Sequence, residues 1–219
     1  SVTGVQTCAL PILLVPIIKD KTGKINSRDN YRPIAIASIL SKIIEFILLD
    51  RLSEYLWTTC NQFGFKKKHG TDMCIHILRE AVDLYKCNNG SVFMCFLDAS
   101  KAFDRVNHYH LFCKLRDRGA PGYIVRILIF WYVSQTACVR WGGVLSDNFS
   151  ICNGVRQGGI LSSFLFNIYM DDLSVELNKC GTGCVIGGVP ISHMYADDLV
   201  ILSPSERGLS KLQIGRAHV

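Results

Sequence analysis

Two adjacent aspartates, Asp197 and Asp198, stand between the strand-length segments Ile191–Met194 and Leu199–Leu202. That pattern predicts a β-hairpin with the acidic pair at its turn. Neighbouring carboxylates raise each other's pKa unless a cation intervenes. The pair therefore points to a bound divalent metal and to phosphoryl-transfer chemistry, which calls for a third carboxylate. Asp98 fills that place. It ends Val92-Phe93-Met94-Cys95-Phe96-Leu97, a continuously apolar segment that reads as a buried strand. A lone Asp at a strand end more often caps a turn, but Asp98 together with the hairpin pair makes a site. Asp171-Asp172 is the contrast: an acidic pair within a helical pattern, where successive side chains diverge, it reads as structural or surface.

The elements that must carry these residues are legible from periodicity. Leu13 to Ile18 predicts a short strand and Lys19 to Asn30 a polar loop. From Ser38, a plausible N-cap, to Trp57, the residues Leu40, Ile43, Ile44, Ile47, Leu48, Leu52 and Leu56 predict a long amphipathic helix. Asn61 to Gly70 is loop, and Thr71 or Asp72 then caps a helix with Ile75, Leu78, Val82 and Tyr85 on one face. After the strand to Asp98, a helix spans Asn107–Arg118, stopped by Gly119, and Pro121 suits the first turn of the next. Strands are expected over 137–145 and 148–155, joined by Ser146-Asp147, then a helix over 162–177 and a strand over 184–189. Helices mixed with a small antiparallel sheet make an α+β arrangement.

Five ordered motifs carry a family resemblance. Phe96-Leu97-Asp98-Ala99-Ser100-Lys101-Ala102-Phe103-Asp104, Gly154-Val155-Arg156-Gln157-Gly158-Gly159-Ile160-Leu161-Ser162 and Tyr195-Ala196-Asp197-Asp198 resemble the palm motifs of reverse transcriptases. Upstream, Pro16-Ile17-Ile18-Lys19 with Tyr31-Arg32-Pro33-Ile34, and Asn61-Gln62-Phe63-Gly64-Phe65, are similar to the fingers region of non-LTR retrotransposon (long interspersed element) polymerases. The resemblance covers about Leu13 to Leu212. It implies a right-hand polymerase: fingers over 13–90, including the long helix 38–57, and a palm over 91–213 whose small antiparallel sheet packs on helices. The thumb and a preceding endonuclease are expected to be missing.

The same resemblance implies RNA-directed DNA polymerisation, in which a primer 3′-hydroxyl attacks a dNTP with two Mg²⁺ ions (or Mn²⁺) held by Asp98, Asp197 and Asp198 and by the Ala99 carbonyl. Asp98 and Asp197 would bridge both ions. Phe103 is placed to reject a ribose 2′-hydroxyl, and Gln157 to lie beside the nascent base pair. Gly158 and Gly159 would let substrate approach the backbone, Lys19 and Arg32 would contact the triphosphate, and Tyr195 and Ala196 would abut the primer end. Asp104 and His108 would cap or orient the loop after Asp98. Ser163 departs from the family, which commonly has proline there. RNA template, DNA primer or target and dNTP are the implied partners, and the parent element would act in nucleus and cytoplasm. Rivals remain open: another palm polymerase, of group II intron type or RNA-dependent RNA polymerase, or an inactive remnant that at most binds RNA or serves as a scaffold.

The ends read differently. Thr7-Cys8-Ala9-Leu10-Pro11-Ile12 can be encoded by a DNA word whose reverse complement, read one base in, encodes Ile214-Gly215-Arg216-Ala217-His218. It resembles a sequencing-library adapter, so residues 1–12 and 214–219 are expected to be non-native. Composition sets outer bounds. Hydrophobic residues are 49% and charged residues 19%, below the roughly 25% usual for soluble domains, which permits a sizeable core and excludes a disordered chain. The longest pure apolar run, Ile127 to Val133, falls short of the roughly 20 residues that span a bilayer, so no membrane segment is expected. A net charge of +6 is compatible with nucleic acid without demanding it. Lys66-Lys67-Lys68-His69 reads as a solvated loop or a template-backbone contact. The ten cysteines lack metal-finger spacing and read as reduced thiols.

Overall fold

Helix boundaries follow the side chains at them. Ser38 Oγ accepts from the Ser41 N–H at 3.2 Å and opens a helix, and Asn107 Oδ1 does the same for the His110 N–H at 3.1 Å. Gly119, at φ 82°, ends the latter helix. The computed structural model describes residues 11–99 and 101–215, with His193 and Ile214–Gly215 described by backbone alone. In chain order the elements are β1 (Ile12–Ile18), β2 (Tyr31–Ile36), α1 (Ile39–Leu52), α2 (Thr71–Cys87), β3 (Phe93–Asp98), α3 (His108–Asp117), α4 (Gly122–Val133), β4 (Thr136–Trp141), β5 (Val144–Leu145) and β6 (Phe149–Ser150). They continue with α5 (Ser162–Lys179), β7 (Val185–Ile186), β8 (Val189–Pro190), β9 (Ser192–Tyr195), β10 (Asp198–Ser203) and α6 (Glu206–Gly215). Most of the two segments expected to be non-native lies outside the described residues; Ile12 belongs to β1, and Ile214 and Gly215 to α6.

The chain divides into two compact units. The first takes the chain up to Leu56 together with Phe103–Leu165, and the second takes Trp57–Ala102 and the chain from Phe166. In the first, the sheet order is β2-β1-β4-β5, with β6 also on β4; β1 runs antiparallel to β2 and parallel to β4. Ile12, Ala35 and Ala137 form its small buried cluster, while Leu111, Leu115, Ile124, Leu128 and Tyr132 of α3 and α4 are buried. β2 was not evident in the sequence because Pro33 interrupts it. It is an edge strand, where a missing N–H costs no ladder bond.

The second unit is built around β10. In the sheet β3-β10-β9 it is the central strand. Its alternation is two-sided: Leu199 and Ile201 pack with Leu173, Leu177 and Leu212 of α5 and α6, while Val200 and Leu202 pack with Ala81, Ile77 and Leu78 of α2. Burial on both faces explains its unbroken apolar run. The architecture is α+β, with small open sheets packed on helices. No helix among the described residues is long and apolar enough to cross a membrane.

Several expectations are corrected. β3 is not a buried strand. It lies at a sheet edge, with Cys95 and Leu97 packed inward and Phe96 66% exposed, because apolar content alone does not reveal which faces are covered. α1 ends at Leu52, followed by a one-turn 3₁₀ helix over Ser53–Tyr55. Its buried face is Ser41, Glu45, Leu48 and Leu52, leaving Leu40, Ile43 and Ile47 exposed. Neither Thr71 nor Asp72 caps α2: Gly70 stands at its N-cap without a side-chain bond. Ile75 is exposed, whereas Ile77, Leu78 and Tyr85 pack. Pro121 is the N-cap of α4 rather than a residue of its first turn. Two glycine pairs redraw the strands, because positive φ at both centres makes a tight hairpin turn. Gly142-Gly143 joins β4 to β5, displacing the expected turn at Ser146-Asp147, and Gly187-Gly188 folds the expected strand over 184–189 into β7 and β8.

Candidate active site

The β3–β10 register sets Asp98 directly opposite Asp198, and the β9–β10 register sets Asp198 opposite Tyr195. Directly paired residues of antiparallel strands project from the same face. Asp98, Asp198 and Tyr195 therefore form a row across all three strands, with Ala196 and Asp197 making the two-residue turn beside it. Like charges directly opposite each other destabilise a sheet, so this row is an electrostatic liability unless a cation shares it. Asp98 and Asp198 are exposed and Asp197 half-buried. Ala99 follows the strand end directly. All of these donors are hard oxygens suited to Mg²⁺. Among the described residues, no group of three or more His, Cys, Asp or Glu is drawn together into a metal cage. The fit to the ion thus rests on donor chemistry and strand register.

Ala196 has φ 58°, a conformation unfavourable for a residue with a Cβ. The loop Asn61–Gly64 lies against it. The Phe63 N–H donates to the Met194 carbonyl at 2.8 Å and the Met194 N–H to the Asn61 carbonyl at 2.9 Å, which covers the outer edge of β9. One buried face of α5 holds the loop in turn: Asn167 Nδ2 donates to the Gly64 carbonyl at 2.8 Å, Asp171 accepts from the Thr59 N–H at 2.7 Å, and Asn178 Oδ1 accepts from Asn61 Nδ2 at 2.8 Å. Asp171 is thus structural, as expected of that pair, and Asp172 is exposed. The role of this polar stripe was missed; its spacing of four and seven residues was the available signal. Gly64 leaves no room for a side chain, since a Cβ there would sit 2.2 Å from the Ala196 nitrogen. Gly64→Ala is expected to destabilise the chain by about 1–3 kcal/mol through overpacking, read as a lower midpoint in urea.

The second motif is fixed within the first unit. The Gly154 N–H donates to the Val106 carbonyl and the Val155 N–H to the Phe103 carbonyl, each at 2.8 Å, and His108 Nε2 lies 2.7 Å from the Gly154 carbonyl. His108 therefore anchors this motif through Gly154. Asp104 accepts from Gln157 Nε2 at 3.3 Å. The Ala35 N–H donates to the Gln157 carbonyl at 2.8 Å, and a Cβ on Gly158 (φ 106°) would lie 3.1 Å from the Ala35 carbonyl oxygen. Close approach at Gly158 is thus already required by β2. A Cβ on Gly159 would meet Ser162 Oγ at 2.4 Å. Ser163 lies in the first turn of α5, which proline also tolerates.

Arg156 was not singled out in the sequence, yet it is buried, paired with Glu45 at 3.3 Å, its guanidinium 4.7 Å from the Trp131 ring centre. Burial pushes the Arg156 pKa down and that of Tyr132, in the same cluster, up to about 12. Lys19 Nζ donates to the Asp29 carbonyl at 3.1 Å on an exposed loop, and Arg32 is exposed opposite Ile17. Lys66, from the basic run, turns inward: its ammonium donates to the Thr59 carbonyl at 2.6 Å, and burial lowers its pKa.

A family model described as reverse transcriptase (RNA-dependent DNA polymerase) matches residues 18–214. The chain belongs to the reverse transcriptase family. Among curated relatives, it is 31% identical over 205 residues to the retrovirus-related Pol polyprotein from type-1 retrotransposable element R2 of Popillia japonica, covering 90% of this chain and 28% of that protein. It is 33% identical over 184 residues to the RNA-directed DNA polymerase from mobile element jockey of Drosophila funebris, covering 81% of this chain and 19% of that one. The reverse-transcriptase domain is thus related to Pol proteins of non-LTR retrotransposons, and it spans less than a third of their length. Its fold resembles telomerase from Candida tropicalis without its C-terminal domain, at TM-score 0.60 and 16% identity over 97% of this chain and 49% of that one. Telomerase from the same organism, in complex with a fragment of telomeric RNA, gives 0.61 and 16% over 96% and 40%.

Proposed function

We propose that this reverse-transcriptase domain is the fingers and palm of an RNA-directed DNA polymerase of a non-LTR retrotransposon, with Asp98, Asp197 and Asp198 as its catalytic carboxylates. The observation that carries this reading is the register that pairs Asp98 with Asp198 beside the Tyr195–Asp198 turn. Two carboxylates face each other there on adjacent strands, a geometry that folding alone disfavours. The three aspartates and the Ala99 carbonyl would hold Mg²⁺, which activates the attacking oxygen and neutralises charge on the phosphates. The protein's own part is to fix the donors on two strands and a tight turn. It also ties Phe103 to Val155, and Gln157 to Asp104, so that the nucleotide-facing residues of the first and second motifs move as one body. Lys19 and Arg32 offer exposed cations to the triphosphate. RNA template, DNA primer or target and dNTP are the partners, and the parent element's protein works in nucleus and cytoplasm.

The test is primer extension on an RNA template by a longer polypeptide that carries this chain and the segment following it in the Pol relatives. Templated dNTP incorporation is the expected result. Incorporation of ribonucleotides in preference, or primer–template binding without incorporation of either, overturns the reading. In the same assay Phe103→Ala should relax sugar selection. Discrimination against NTP should fall by roughly 10–200-fold, the range by which a shaped apolar wall distinguishes one small group, with dNTP turnover retained.

A further inference from the structure

Gln62 is 1% exposed, and its side-chain amide meets both backbone polar groups of Ala196 in the turn. Oε1 accepts from the Ala196 N–H at 3.2 Å and from the Gly64 N–H at 2.9 Å, and Nε2 donates to the Ala196 carbonyl at 3.3 Å. The orientation of the amide is dictated by its partners, since two N–H groups facing one atom require that atom to be the oxygen. We infer that Gln62 is a positioning residue for catalysis, clamping Ala196 in its left-handed conformation and thereby setting where Asp197 and Asp198 project. The role in catalysis rests on the polymerase reading above; the clamp itself does not.

First, Ala196 sits at φ 58°, and such a conformation persists only where the surroundings over-determine it. Second, Gln62 meets both the N–H and the C=O of that one residue. The ladder of β9 and β10 is interrupted at the turn, and the glutamine amide supplies there the donor and acceptor that a neighbouring strand would have given. Third, Gln62 has little freedom to yield. Its flanking residues are bonded to Met194 on both sides, and Asn61 and Gly64 are held by Asn178 and Asn167 of α5. A carboxylate pair must be held to a fraction of an ångström to be productive, and the clamp acts on the residue immediately before that pair.

The test uses amide hydrogen exchange by NMR on the chain itself and steady-state kinetics on the longer polypeptide. In the unsubstituted chain, one Gln62 side-chain amide proton should be protected and show a nuclear Overhauser contact with Ala196. In Gln62→Leu, which keeps the packing volume, the Ala196 amide should exchange about 10–100-fold faster while the β3–β10 ladder amides keep their protection. In the same variant kcat should fall about 10–100-fold, as expected for a reacting group misplaced by an ångström. The dNTP KM and primer–template affinity should stay within about twofold. Gln62→Glu retains an acceptor but loses the donor to the Ala196 carbonyl when ionised, and should fall between the two. Unchanged Ala196 exchange in Gln62→Leu, or unchanged kcat, overturns the proposal; so does a freely exchanging Gln62 side-chain amide in the unsubstituted chain, which decides the matter even if the leucine variant does not fold. An unsubstituted protein with the amide contact but no polymerase activity counts against the polymerase reading and leaves the clamp standing.

Discussion

Asp98→Asn is expected to abolish primer extension, with a loss of about 1000-fold or more, while leaving the domain as stable as before or slightly more so. The two halves of this result have one cause. Asp98 stands opposite Asp198 across an antiparallel pair, and both are exposed. Without a shared cation, their repulsion opposes folding, so neutralising one removes a small unfavourable interaction. With Mg²⁺ present the sign reverses: an ion bound by the native state alone raises stability by mass action. Millimolar Mg²⁺ should therefore raise the Tm of the unsubstituted protein and leave that of Asp98→Asn nearly unmoved. Losing several kcal/mol of transition-state charge stabilisation corresponds to about three powers of ten or more in rate. Primer–template affinity should persist, since the substitution removes a proposed metal donor and no proposed nucleic-acid contact. Thermal melts with and without Mg²⁺, beside an extension assay, check all of this. A variant that extends primers at near-normal rate sinks the assignment of Asp98.

How much of this was legible in the sequence follows from which signals are local. The hairpin itself was readable because a tight polar break between two strand-length segments is a short-range pattern, but its turn lies at Ala196-Asp197, one residue before the acidic pair expected there, because Asp198 pairs with Tyr195 and Asp98 as the first residue of β10. Ser38 and Gly119 were readable because capping is decided within a few residues, while Asn107, expected as the first helical residue, is the N-cap. What failed was the side of an element. β3 read as buried because its run is wholly apolar, yet it is an edge strand and Phe96 is exposed, since apolar content does not tell which side chains are covered. α1 read as an apolar stripe through Ile43 and Ile47, yet the stripe that goes inside contains Ser41 and Glu45. No window of α1 reveals this, because the partner that draws Glu45 inward lies 111 residues away at Arg156. The same holds at the candidate site. The three aspartates were proposed from residue type, whereas the Gln62 contact with Ala196 depends on a register between a loop and a strand more than a hundred residues apart.

The Glu45–Arg156 pair gives the largest stability effect. Glu45→Ala is expected to cost about 3–5 kcal/mol, the range for removing one partner of a buried ion pair and leaving the other charge uncompensated. Both side chains are nearly inaccessible, at 4% and 6% exposure. The Glu45 carboxylate also accepts from the Ile160 N–H, so one residue holds the second motif at two points. Trp131 stacking over the guanidinium softens the loss without replacing the countercharge. Urea unfolding measures the cost, and a shift within about 0.5 kcal/mol, the scale of an ordinary surface substitution, would show that the pair carries little. The double variant Glu45→Leu with Arg156→Met separates stability from position. Replacing a buried pair by apolar side chains is often neutral or stabilising, so much of the lost stability should return. Normal dNTP affinity should not return with it. Gln157 and Gly158 follow Arg156 directly and are seated on Asp104 and Ala35. An apolar substitute fills the volume without the directional bonds that fix this loop. The expected signature is a restored urea midpoint with a raised dNTP KM. Recovery of both together would mean that the loop is placed by packing alone.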